Sequence, residues 1–497
     1  MRSVSWNYLG YFVECGAGLL LTAYVVRRIP VHDFGIYLLA QAIAAFLYLL
    51  EFGMGSMLVS LYVSTFARKG IAETGRLTST VFMALLASGS VGALVLSLAA
   101  MCMPELLRLP PEDAALAGRV LILMSMAVAL ALPQTALELL CQAFHRFDRI
   151  NQVQIVVVML RVGLSVAVLM AGKGIVAFAT VQVAVWAVRL VGLWIAASAS
   201  ISGLSLRLQF DRGLLLEALH MSKWAFGDDI SHRIALNTEP VVLAAFASFE
   251  QVALFGVGSR LPAHLYHSAA RGLSVLIPTL SQHHAEGDKA RLRVTFSSAY
   301  RICMTGLAPT AIFGAICAPA LVRVWAGPAY ANAAPVLAYL LMSALSMVMM
   351  LPSDMVLYSH AHIKQAAGFS VLQTFGKVAV ASALAGKFGA VGVAAGVTLW
   401  HWCVSLFFYF PAACRIAETG PIELWRAALS ENRTANVIQG AVFLFFVVAL
   451  AVGMRVLGST QMFVVFALIS LLYAAIWFYY TALPMWRRSR NESPAAS

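Results

Sequence analysis

Long apolar runs separated by short polar turns recur along almost the whole chain. Crossing the hydrocarbon core of a bilayer takes about 20 largely apolar residues in helical form. Runs of that kind lie at 6–26, 34–63, 78–103, 116–141, 152–170 and 175–196. After a more polar stretch at 197–222 a second series follows at 224–247, 253–281, 294–316, 335–359, 366–386 and 389–413. Two more runs, 435–454 and 460–483, come after a connector at 415–433. The pattern predicts an all-α integral membrane protein of about 14 transmembrane helices, arranged as two six-helix lobes plus two C-terminal helices.

Six is an even number, so both lobes enter the bilayer from the same side. They are expected to be parallel repeats related by an axis along the membrane normal, with a binding cavity between them near mid-membrane. A weak internal echo agrees: Phe34-Gly35 is followed by Lys69-Gly70, and Phe255-Gly256 by Glu286-Gly287-Asp288-Lys289. The expected divisions are an N-lobe at 1–200, a cytoplasmic linker at 201–222, a C-lobe at 223–413, and a remainder at 414–497 holding a cytoplasmic loop, the last two spans and a basic tail.

Composition removes the soluble alternative. Of 497 residues 61% are hydrophobic and 11% charged, with a mean hydropathy of +0.83, which leaves too little polar surface to cover a water-soluble core. The run after Met1-Arg2-Ser3 is too long for a signal-peptide core and carries no small-x-small cleavage site, so a retained first span is expected. The net charge of +12 raises the question of nucleic acid, but the positions of the charges answer it. With a cytoplasmic N-terminus, twenty of the 34 Lys and Arg fall on cytoplasmic connections, eight on outer ones and six inside spans. That is the positive-inside bias, with both termini cytoplasmic and no nucleic-acid partner. The seven cysteines are scattered without CxxC or Cys/His ligand spacing, so neither a disulfide framework nor a metal site is expected.

The candidate chemistry lies in ionisable residues inside the spans, where each costs several kcal/mol unless it faces protein or water. The eighth span carries Arg260, His264, His267 and Arg271 at i, i+4, i+7 and i+11, a basic stripe on one helix face. An interfacial amphipathic helix with a solvated face gives the same pattern; the flanking Leu, Val and Ile favour a stripe lining an aqueous cavity. Arg161, Arg189, Arg233 and Lys377 complete a basic set that outnumbers Glu14 and Glu51 at mid-depth, so a cationic cavity is expected. Guanidinium forks suit a bidentate phosphate or pyrophosphate group. Asp229 and Arg233, at i and i+4, either pair along their helix or meet a ligand. Glu14, Glu51 and Asp229 either couple transport to a proton or sodium ion or neutralise neighbouring arginines. Pro240 is expected to kink the seventh span.

A basic and acidic connector ending in Phe34-Gly35-Ile36-Tyr37, then Glu51-Phe52-Gly53, Tyr62 and Phe66-Ala67-Arg68-Lys69-Gly70, resembles the oligosaccharide (Wzx-type) flippases of the multidrug/oligosaccharidyl-lipid/polysaccharide exporter superfamily. Later residues continue the likeness: Leu276-Ile277-Pro278-Thr279-Leu280, Trp325-Ala326-Gly327-Pro328, Ala334-Pro335-Val336-Leu337, Pro352 and Leu357-Tyr358. The resemblance implies a transporter without cofactor. It would move polyprenyl-pyrophosphate-linked oligosaccharide across the bacterial inner membrane for O-antigen, lipopolysaccharide, capsule or exopolysaccharide synthesis, alongside a polysaccharide polymerase and chain-length machinery. It also implies a lipid-tail groove on the last two spans, 436–454 and 461–483. Within the superfamily a lipid II flippase or a multidrug antiporter are the competing readings. From a different class, a membrane polysaccharide polymerase or ligase needs a sizeable outer loop and a catalytic constellation. The outer connections are short and hold no DxD, HExxH or nucleophile motif.

Overall fold

The computed structural model describes residues 2–479 apart from 107–110, 202, 205, 274–275, 360–362 and 431–432. Arg108 and the expected basic tail, Arg487, Arg488 and Arg490, lie outside the described residues. Among the described residues helix is the only regular secondary structure. Nine stretches of the described residues are long and apolar enough to cross a membrane, and Val437–Leu450 is a shorter apolar helix. Two of the nine, Met57–Met101 and Lys364–Ile416, are 45 and 53 residues long. At about 1.5 Å of rise per residue each exceeds a single crossing of a core about 30 Å thick.

The first compact unit is Met1–Ala253. It contains α1 (Arg2–Arg28), α2 (Val31–Ala45), α3 (Met54–Leu106), α4 (Pro111–Ala143), α5 (Phe147–Met170), α6 (Ile175–Ser200) and α7 (Arg212–Phe246). Arg27 and Arg28 close the last turn of α1, where cations meet the carbonyl end of the helix. The Asp211 side chain caps α7 by accepting from the Gly213 and Leu214 amides at 2.8 and 3.2 Å. Within this unit α7 packs on α2 and α3. The core is built where α3, α4, α6 and α7 meet, around Tyr62, Leu77, Leu132 and Leu193. The fully buried Tyr62 hydroxyl finds its partner in the Ala136 carbonyl at 3.2 Å.

The second span, expected as one run over 34–63, is built in three pieces: α2, a 3-10 turn at Phe46–Glu51, and the start of α3. Phe52 and Gly53, at φ 51° and 71°, end the 3-10 turn in the left-handed region, which an α-helix cannot pass through. A methyl group at Gly53 would come within 2.6 Å of the Phe226 amide of α7, so glycine is needed here for space as well as for φ. α3 breaks once more at Gly70 (φ 80°), which divides its 53 residues between two crossings.

The second unit is Leu254–Ser497. The chain enters it along α8 (Phe249–Leu273), followed by α9 (Leu276–Ala285), α10 (Lys289–Ile302), α11 (Ala308–Ile316), α12 (Ala318–Trp325), α13 (Ala334–Ser359) and α14 (Ile363–Val404). Then come α15 (Phe410–Ile416), α16 (Pro421–Ser430), α17 (Arg433–Val456) and α18 (Ser459–Trp477). α14 turns at Gly389 (φ 56°), where the eleventh and twelfth runs were expected to part.

Prolines shape this unit, and neighbouring helices satisfy the carbonyls they leave open. Pro309 has no N–H for the Thr305 carbonyl four residues back. The helix widens into a π-turn at Cys303–Leu307, and the Tyr473 hydroxyl of α18 donates to that carbonyl at 2.7 Å. Pro352 likewise leaves the Val348 carbonyl open, and the Cys303 thiol reaches it at 3.5 Å. A second π-turn, Ser405–Tyr409, precedes Pro411.

Thr305 also accepts from the Trp477 indole N–H through its hydroxyl at 3.0 Å. Thr305→Val keeps the shape and the carbonyl but leaves that N–H without its partner. The expected cost is about 1–3 kcal/mol, read as a lower thermal midpoint of the purified protein in detergent.

Candidate functional site

The break in the second span places a carboxylate at its turning point. Glu51 closes the 3-10 turn and is buried. Its Oε1 accepts from the Thr135 hydroxyl of α4 at 2.8 Å, and its Oε2 meets the Arg233 Nη2 of α7 at 3.3 Å. Arg233 also pairs with Asp229 one turn earlier on α7, Nε to Oδ1 at 3.3 Å, and its guanidinium sits 4.7 Å from the centre of the Tyr48 ring. The cluster therefore holds two carboxylates and one guanidinium at an interrupted span, a place where backbone irregularity and charge occur together in transporters.

A second cluster joins α4, α5 and α6. Arg189 donates from Nη2 to Glu138 at 2.6 Å, from Nη1 to Gln134 at 2.7 Å and from Nε to Gln154 at 3.1 Å. Gln134 passes the network on through its amide N–H to the Trp186 carbonyl at 2.9 Å. The planar fork of arginine is used on three sides, which a lysine ammonium could not reproduce.

These contacts redistribute the expected set. Arg189 and Arg233 are engaged by carboxylates of their own unit. Arg161 on α5 differs: its Nε is buried, and among the described residues it makes no hydrogen bond or ion pair. Glu14 is exposed on α1 and joins neither cluster.

In the second unit the stripe on α8 is present as the spacing required. Arg260 and His264 are half-buried, and His267 and Arg271 exposed, so accessibility increases along one helix face. Glu250, at the start of the helix, is its only carboxylate. Lys377 is not on that face but buried in α14 with Thr374. His401, later in α14, lies near enough for Lys377 to act on it and exchanges a 2.6 Å hydrogen bond with Ser343 of α13.

Sequence reasoning did not find Thr135, Gln134, Gln154, Ser343 or His401. Each is a single polar residue in an apolar run and gives no periodic signal. Only the intramembrane cost of an unpartnered polar group pointed toward them.

An apolar cavity of about 560 Å³ opens in the second unit between α8, α11, the π-turn and α18. Leu273, Leu276, Leu307 and Ala474 line it, and Tyr473 and Trp477 form its α18 wall. Of the two helices expected to carry a lipid groove, α18 contributes and, among the described residues, α17 does not.

Solved structures share this fold. The lipid II flippase MurJ, in an inward closed conformation, superposes with a TM-score of 0.73 at 12% identity over 96% of this chain and 99% of that one. An inward-facing multidrug resistance MATE family transporter of the MOP superfamily gives 0.68 at 13% identity, over 82% of this chain and 95% of that one. A mutant form of the Vibrio cholerae MATE transporter VcmN gives 0.57 at 15% identity, over 87% of this chain and 96% of that one. A search of curated protein sequences returned no match. The architecture is thus that of the MurJ- and MATE-type transporters. Residues 25–335, more than half of the chain and inclusive of both the broken second span and the α8 stripe, match the model of one sequence family, and the chain belongs to that family, the polysaccharide biosynthesis proteins.

Proposed function

We propose that this protein is a flippase that moves polyprenyl-pyrophosphate-linked oligosaccharide repeat units from the cytoplasmic to the outer leaflet of the bacterial inner membrane. It works by alternating access, without chemistry on its cargo, and both termini are cytoplasmic. The observation that carries the reading is the stripe Arg260, His264, His267 and Arg271, four basic groups on one face of α8 whose exposure rises toward Arg271. Two guanidinium groups offer paired N–H donors to a pyrophosphate, whereas a cationic drug would be repelled. Arg161, without a carboxylate partner among the described residues, is a second place for an anionic group. The 560 Å³ apolar cavity suits part of the isoprenoid chain. Glu51 and Asp229, at the broken span, are the groups through which a proton or sodium ion couples to movement.

Complementation of a flippase-null strain tests this, scored as surface polysaccharide and as accumulation of the lipid-linked unit on the cytoplasmic leaflet. Rescue by the wild type together with loss of transport, about a hundredfold or more, in the inserted R260A/R271A variant is the expected result; two guanidinium–phosphate contacts at about 1.5–3 kcal/mol each set that scale. Normal transport by the variant overturns the assigned site. The likeness to MurJ favours lipid II as the second reading. Growth of a strain depleted of its lipid II flippase, restored by this protein, would replace the first reading with the second.

A further inference from the structure

At the end of the first unit three separate segments meet on one imidazole. His32, in the first turn of α2, directs Nε2 at the Asp113 carboxylate in the first turn of α4, 2.9 Å away. Its Nδ1 meets the Glu250 carboxylate in the first turn of α8 at 2.7 Å. The residues are 81 and 218 positions apart from His32. The ring stands edge-on to Phe249, centroids 5.2 Å apart. Beside it Gly35 comes so close to the Phe249 carbonyl that a side chain would not fit. All three polar side chains are partly open to solvent, so protons can reach them.

A neutral imidazole has one N–H and one bare nitrogen. Between two carboxylates the bare nitrogen would face an acceptor, so two bonds of this length require one additional proton. Whether that proton rests on the ring or on one of the carboxyls, the closed triad holds one more proton than neutral histidine and two free carboxylates. We propose that His32, Asp113 and Glu250 form a proton-operated clasp: proton binding ties the first turn of α8 to α2 and α4, and proton release frees it. α8 is the helix that carries the basic stripe, so the clasp sets whether that helix is anchored at its start.

Charged groups on the flanking elements include Arg27 and Arg28 of α1, Asp33 of α2, Glu112 and Arg119 of α4, Lys173 before α6, Glu239 of α7 and, further along α8, Arg260. Asp113 and Glu250 both act on the imidazole, by hydrogen bond and by charge. The Ser248 hydroxyl, ahead of His32, holds the Glu250 carboxyl below the usual carboxylate range, which keeps Glu250 an acceptor. The sign follows by linkage: the closed form binds the extra proton, so closure is favoured at low pH and lost as pH rises through the histidine range.

Hydrogen–deuterium exchange of the full chain in nanodiscs, read on peptides covering 246–256 and corrected for the intrinsic rate, tests the clasp. Between about pH 5.5 and about pH 8.5, which brackets the ordinary imidazole value near about 6.5, protection in the wild type should fall about tenfold or more. H32Q, which cannot take up the proton, should be unprotected at both ends. D113N separates a proton-operated clasp from a merely structural contact. With one carboxylate gone, a neutral imidazole suffices for Glu250, so protection should persist and no longer depend on pH. Wild-type protection that is flat across this range, or a D113N variant that keeps the wild-type pH dependence, overturns the proposal.

Discussion

Arg189→Leu is expected to destabilise the protein by about 3–5 kcal/mol, the cost of removing one partner from a buried ion pair. Among the described residues the guanidinium is the only donor to Glu138, and it also serves Gln134 and Gln154. Its side chain is 13% exposed and that of Glu138 29%, so water can only partly replace what is lost. The E138L single variant should be similarly damaging, because it strands the guanidinium. R189L/E138L should recover much of the loss, since replacing both members of such a pair by apolar residues is often near neutral. A double-mutant cycle on unfolding in detergent measures this. A coupling energy near zero would mean that the network contributes little, and the α4, α5 and α6 packing would have to stand on apolar contacts alone.

Gly35→Ala should be the most damaging exchange among the small residues of α2, at about 3 kcal/mol or more. The added methyl meets the carbonyl oxygen and carbon of Phe249, and a backbone carbonyl cannot rotate aside as a side-chain tip can. The first turn of α8 would have to move off α2, and with it Glu250 off His32. The measurement is the yield of monodisperse protein and its thermal midpoint. An alanine variant with the wild-type midpoint would show that the two segments are not held at this distance in solution.

How much of this was legible beforehand differs residue by residue. The stripe on α8 was readable because four basic residues at helical spacing need nothing beyond their own helix to share a face. The i, i+4 pair Asp229–Arg233 was readable for the same reason. The second span was misjudged as continuous, because hydropathy averages over about 20 residues and Glu51-Phe52-Gly53 is too short to lower the mean. What ends the helix there is the backbone conformation of two residues, set by the close approach of α7. A count of charges by depth, in which arginine exceeds carboxylate, cannot say who pairs with whom. Arg233 finds Glu51 across 182 positions and Arg189 finds Glu138 across 51.

Lipid as the surrounding solvent, the helical class, most of the span positions and the basic face of α8 are readable from the chain alone. All of these follow from composition and from periodicity within single helices, and each is decided within about 20 neighbouring residues. Packing between helices sets the break at Glu51, the partners of Arg189 and Arg233, the solitary state of Arg161 among the described residues, the capture of the Thr305 carbonyl by Tyr473 and the meeting of His32 with Asp113 and Glu250. Those depend on which helices pack side by side, and inside a bilayer that choice is made by close fit and by polar groups that must find one another, neither of which leaves a local trace along the chain.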